Sequence, residues 1–136
     1  MIKRYFTNST NLLRIIVGIT MMSHGIARLF YASIYAFGNF LESNGLLYGF
    51  YLAWIITLLD LFFGILLIFN TCIKHASYWF IFILLMGIAL VHRHHGWFVV
   101  GHGSNGIEYS IVLISCFYTL LTINKNHESK KLTADR

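Results

Sequence analysis

The chain has 136 residues, one domain's worth, and is 57% hydrophobic and 17% aromatic but only 11% charged, whereas a soluble domain carries roughly a quarter charged residues. So few charges cannot coat a water-facing surface, and the apolar side chains must face lipid. The net charge of +5 does not indicate nucleic acid, because the basic residues stand at the ends of apolar runs rather than on one face of a soluble fold.

Four apolar runs follow one another: residues 12–31, 45–69, 76–91 and 107–123. A helix crosses the ~30 Å hydrocarbon core with roughly 20 residues at about 1.5 Å each. The first two runs are that long, and flanking residues can extend the other two. The runs neither alternate nor stop short, so strands are excluded. The first run contains Arg14, His24 and Arg28 and lacks a small-residue cleavage site, so it reads as a mature helix rather than a signal peptide. Helix starts are expected at Asn8, Ser9, Thr10 and Asn11 and again at Ser43 and Asn44, whose side chains can cap. No proline interrupts any run. Cys72 and Cys116 are far apart and belong to no C-x-x-C pair, so both are expected to be small buried hydrophobes.

The fold class is therefore all-α, a polytopic membrane four-helix bundle over residues 1–123 with a polar, frayed tail over 124–136. Lys3, Arg4, Lys74, Lys125, Lys130, Lys131 and Arg136 flank one side, and Arg28 and Arg93 the other. This bias places both termini in the cytoplasm and the loops 32–44 and 92–106 outside. Gly18, Gly25, Gly49, Gly64 and Gly87 fall inside runs, where small residues let membrane helices approach closely.

The remaining polar residues sort by depth. Arg14 and Asp60 lie within runs and are costly in lipid unless paired, so they are expected to form an ion pair between the first two helices. At the outer end stand His24 and, one turn on, Arg28; then His92, Arg93, His94, His95, Gly96 and Trp97; then His102 in a glycine-rich stretch; and Glu108 opening the fourth helix. His24, Arg28, His95 and Glu108 are the candidate catalytic set. His24, His92, His95 and Trp97 could line a cofactor site, and His92, His95 and Glu108 could hold a metal ion, since imidazole and carboxylate are its usual ligands. Imidazoles beside a carboxylate also suit proton transfer to a quinone. The competing reading is interfacial. Histidine, arginine and tryptophan are ordinary at a membrane surface, and Trp97 and Phe98 would then be an aromatic belt.

Three motifs in this order resemble the DoxX/DoxD family of bacterial membrane proteins. They are Arg14-Ile15-Ile16-Val17-Gly18 followed by Ser23-His24-Gly25-Ile26-Ala27-Arg28, then Asp60 before Gly64, and then His95-Gly96-Trp97-Phe98 followed by Gly106-Ile107-Glu108-Tyr109. The family commonly has Glu where Asp60 stands, and His92, His94 and His102 are additions. The resemblance implies a four-helix bundle in the bacterial inner (cytoplasmic) membrane. Some members resemble subunits of quinone-reducing enzymes, and others look like partners in membrane redox complexes. Two functions follow as expectations: a redox subunit using quinone or a metal ion, or a non-catalytic assembly subunit. In either case the partners are the lipid bilayer and other membrane subunits, or the chain itself as a homo-oligomer. Transport of a small solute is the third possibility.

Overall fold

The computed structural model describes residues 9–101 and 103–134, with side chains as far as residue 125. The elements run α1 (Ser9–Phe30), α2 (Ile34–Ser43), α3 (Gly49–Ile68), α4 (Ile73–Leu90), a 3-10 turn (His92–His94) and α5 (Glu108–Ala134). Among the described residues there is no strand. Three helical stretches among the described residues are long and apolar enough to cross a membrane: Ser9–Phe30, Gly49–Ile68 and Ile73–His94. These correspond to the first three of the four expected spans. The apolar part of α5 is hemmed in by Glu108 on one side and by Asn124 and Lys125 on the other.

Two further expectations are corrected. The segment read as the first loop contains α2, whose Ile34, Gly38 and Leu41 are buried at helical spacing. The segment read as a frayed tail continues α5 as helix to Ala134. Lys, Glu, Leu and Ala in that segment are good helix formers, and polarity alone does not end a helix. Lys3, Arg4, Asn8 and Arg136 lie outside the described residues.

The chain divides into two compact units, Arg14–Thr71 and Cys72–Arg136 together with Met1–Leu13. In the first, α1, α2 and α3 all end in the same way. Past α1, Ala32 N–H bonds to the Leu29 carbonyl and Ser33 N–H to that of Arg28. Past α2, Gly45 bonds to Glu42 and Leu46 to Leu41; past α3, Asn70 bonds to Leu67 and Thr71 to Leu66. Each is the double-bonded helix end that needs a left-handed residue, and Ala32, Gly45 and Asn70 have φ of 49°, 85° and 62°. Ser43 and Asn44 therefore do not start α3. Both side chains bond back to the Phe40 carbonyl at 2.8 Å and close α2.

Antiparallel α1 and α3 pack through glycine. A Cβ on Gly64 would lie 2.8 Å from Met22 Cβ, and one on Gly25 would lie 3.2 Å from the Thr57 carbonyl. In the second unit, Ala76, Phe80 and Leu84 of α4 and Leu113, Phe117 and Leu120 of α5 form the core, with Phe80 and Phe117 ring centroids 5.2 Å apart. Cys116 is half-buried, but Cys72 is exposed, contrary to expectation, because it forms the left-handed residue before α4 rather than part of a packed face.

Candidate functional site

In the Arg14–Thr71 unit a polar network crosses between two apolar helices. His24 and Arg28 are four apart on α1, and Thr57 and Asp60 three apart on α3, so each pair shares a helix face. Arg28 Nη1 donates to Asp60 Oδ2 at 3.0 Å and to Thr57 Oγ1 at 3.3 Å. The Thr57 hydroxyl itself donates a hydrogen bond to the Ala53 carbonyl at 2.7 Å. Asp60 is 1% exposed and Arg28 18%. Such burial makes each charge dependent on the other. The ring of Phe37, from α2, lies over the guanidinium with its centroid 4.6 Å from Cζ, a cation–π contact. His24, one turn before Arg28, is exposed.

This changes the expected pairing. Asp60 was assigned to Arg14, but its carboxylate is held by Arg28. Arg14 is itself buried, and its Nη1 donates to the carbonyls of Leu67 and Ile68, the latter at 2.6 Å. Those carbonyls close α3, where the backbone leaves acceptors without helical donors and the helix dipole is negative. Residues 60 and 67 are about 10 Å apart along the helix at 1.5 Å per residue, so the Arg14 and Arg28 Nη1 atoms serve different stretches of α3.

In the other unit the His92–Glu108 segment forms a tied loop. Gly106, Ile107 and Glu108 N–H groups bond back to the carbonyls of Phe98, Gly96 and Trp97, each at 3.1 Å. The Glu108 carboxylate accepts the Val99 N–H at 2.8 Å. The His92 Nδ1 contacts the Asn105 carbonyl at 2.6 Å. Gly96 and Gly101, with φ of 81° and 88°, supply the reversals. Trp97 and Phe98 are exposed, as are His94 and His95. Arg93 Nε donates to His94 Nε2 at 3.0 Å. His102 lies outside the described residues.

The candidates thus fall in two places, His24 and Arg28 in one unit and His92, His95, Trp97 and Glu108 in the other. Among the described residues no group of three His, Cys, Asp or Glu side chains is gathered as a metal ion would require. His92 and Glu108 are each engaged with loop backbone instead. Sequence reading missed Thr57 and Phe37. Thr57 carried a signal, a hydroxyl three residues before Asp60 in an apolar helix. Phe37 was hidden in the segment taken for a loop.

A family profile described as DoxX matches residues 9–93, which takes in α1 to α4 and the whole Arg28–Asp60 network. No curated protein matches the chain, and no solved structure matches it. With a family match over more than half its length and several helices fit for a bilayer, this is a multi-pass membrane protein, and the chain belongs to the DoxX family.

Proposed function

We propose that the protein is a subunit of a quinone-linked redox system in the bacterial inner membrane, and that the quinone head group binds beside Arg28 and His24. One observation carries this reading: a buried Arg28–Asp60 pair within apolar helices, with an imidazole one turn away on the same face. Ionisable groups at such depth are expensive and mark sites of function. Reducing a quinone to a quinol takes two electrons and two protons. In this reading a reduced donor held by a partner subunit supplies the electrons. His24 passes on both protons in turn, taking up a second from water after giving the first, and Arg28, fixed by Asp60 and Thr57, donates a hydrogen bond to a quinone carbonyl oxygen as charge develops on it.

Purification in mild detergent followed by solvent extraction tests the proposal. Stoichiometric quinone is expected with the unaltered protein. His24→Ala and Asp60→Asn should lower it by about tenfold or more, since each loses or misplaces a hydrogen bond of about 1.5–3 kcal/mol. Well-folded protein that carries no quinone would defeat the redox reading and leave the assembly subunit.

The proposed topology has four spans, α5 being the fourth, with both termini cytoplasmic, because seven Lys and Arg residues flank that side against two on the other. A reporter inserted at Gly45, where nothing lies within 4 Å of an added Cβ, should read as external, and one at Lys131 as internal. An external signal at Lys131 overturns the assignment.

A further inference from the structure

The Arg28–Asp60 network is closed on one side by a single aromatic ring. Thr57 and Asp60 are buried from the lipid and from water, while Arg28 keeps 18% of its side chain exposed. Phe37 lies over that guanidinium, 4.6 Å from ring centroid to Cζ. Phe37 is itself only half-buried, and its other ring neighbour, Phe40, is stacked at 6.5 Å with 13° between the planes. One face of the ring is therefore held by a charge, and part of the ring stands outside the packing.

The backbone that carries Phe37 cannot move in the same way. Gly38, the next residue, packs so closely on α3 that an added Cβ would lie 2.8 Å from Phe50 Cα and 2.9 Å from Phe50 N. One turn on, the Glu42 carboxylate accepts the Gly49 N–H at 3.0 Å and ties α2 to the start of α3. With α2 clamped just past the ring, at Gly38 and at Glu42, the free coordinate is rotation of the Phe37 side chain. Side chains outside a packed core change rotamer rapidly, and a cation–π contact at a partly exposed site is weak enough to break and re-form.

We propose that Phe37 is the gating residue of the Arg28 site: its ring shuts the network in one rotamer and swings aside to admit a planar, carbonyl-bearing head group to the guanidinium. This rests on the reading of the network as a ligand site, but its test needs no quinone. The probe is a small charged thiol reagent applied to a Thr57→Cys variant in which Cys72→Ser and Cys116→Ser remove the native thiols. Residue 57 lies beneath the guanidinium, so labelling reports how often the roof opens.

With Phe37 present, labelling should be slow. Adding Phe37→Ala should speed it by about twofold to thirtyfold, the range that loss of one cation–π contact implies. Adding Phe37→Trp, which keeps a π face, should leave it slow. Ser77→Cys, at a fully buried position in the other unit, controls for general loosening and should stay slow throughout. If Phe37→Ala does not fold, Phe37→Leu takes its place. An unchanged rate on removing the ring, a fast rate with Trp, or equal acceleration at residue 77 each overturns the proposal. A protein that gates as described yet binds no quinone would sink the redox reading and leave the gate intact.

Discussion

Replacing Asp60 with Asn should destabilise the protein by about 3–5 kcal/mol, the cost of leaving a largely buried arginine without its counter-charge. The loss falls on Arg28, whose Nη1 would keep only Thr57 Oγ1 and a neutral amide. Arg28→Met alone should cost a comparable amount by removing the Nη1 donor from a carboxylate buried in an apolar helix. The combined Arg28→Met, Asp60→Met change should recover part of both losses, because a methionine pair leaves no charge to desolvate. Thermal unfolding in detergent reads the cycle, and the coupling energy should lie at about 1–3 kcal/mol. Arg14→Met with Asp60→Met is the contrasting cycle. Arg14 Nη1 serves the Leu67 and Ile68 carbonyls, about 10 Å along α3 from residue 60, so its coupling to Asp60 should be smaller than that of Arg28. Coupling in the Arg14 cycle and none in the Arg28 cycle would reverse the assignment of partners.

That contrast shows where sequence reasoning stops. The cost of burying a lone charge calls for a basic partner to Asp60, and in the structure Arg28 of the antiparallel α1 is one. Choosing between Arg14 and Arg28 needed the register of one helix on the other. That register is set by Gly18, Gly25 and Gly64, at which the backbones approach, and a list of apolar residues does not contain it. The three spans were legible because length and hydropathy alone decide them. Helix α2 was legible in principle, since Ile34, Phe37, Phe40 and Leu41 recur at helical spacing, but a segment of ten residues between two longer apolar runs reads as a connection. At the third loop, composition drew attention to the histidines and to Glu108. Their use is local: Glu108 accepts the Val99 N–H and His92 meets the Asn105 carbonyl. Such side-chain-to-backbone ties depend on the path of the loop, which follows from Gly96 and Gly101 at positive φ and leaves no periodic trace.

Gly49→Ala should be among the most damaging single methyl additions in the chain. An added Cβ there would run into the carbonyl oxygen of Gly38 and stand 2.6 Å from Glu42 Cγ and 3.0 Å from the Gly38 carbonyl carbon. Two of these three neighbours are backbone and cannot rotate away, so α2 would have to lift from α3. Overpacking of this kind costs about 1–3 kcal/mol even where side chains can adjust, and here it would also break the Glu42 bond to the Gly49 N–H, worth about 1–3 kcal/mol with a carboxylate acceptor. Helix propensity would return at most about 1 kcal/mol. A net loss of roughly 2–5 kcal/mol is expected from those terms. Lifting α2 also withdraws Phe37 from Arg28, so Thr57→Cys should label faster in the same protein. Gly87→Ala sets the comparison. Its Cβ would meet only His92 ring atoms at 3.7 and 3.8 Å, ordinary contact, so the propensity gain of about 1 kcal/mol should survive and the unfolding temperature should hold or rise. If Gly49→Ala unfolds no earlier than Gly87→Ala, the close backbone contact between α2 and α3 does not hold, and the clamp on the segment bearing Phe37 goes with it.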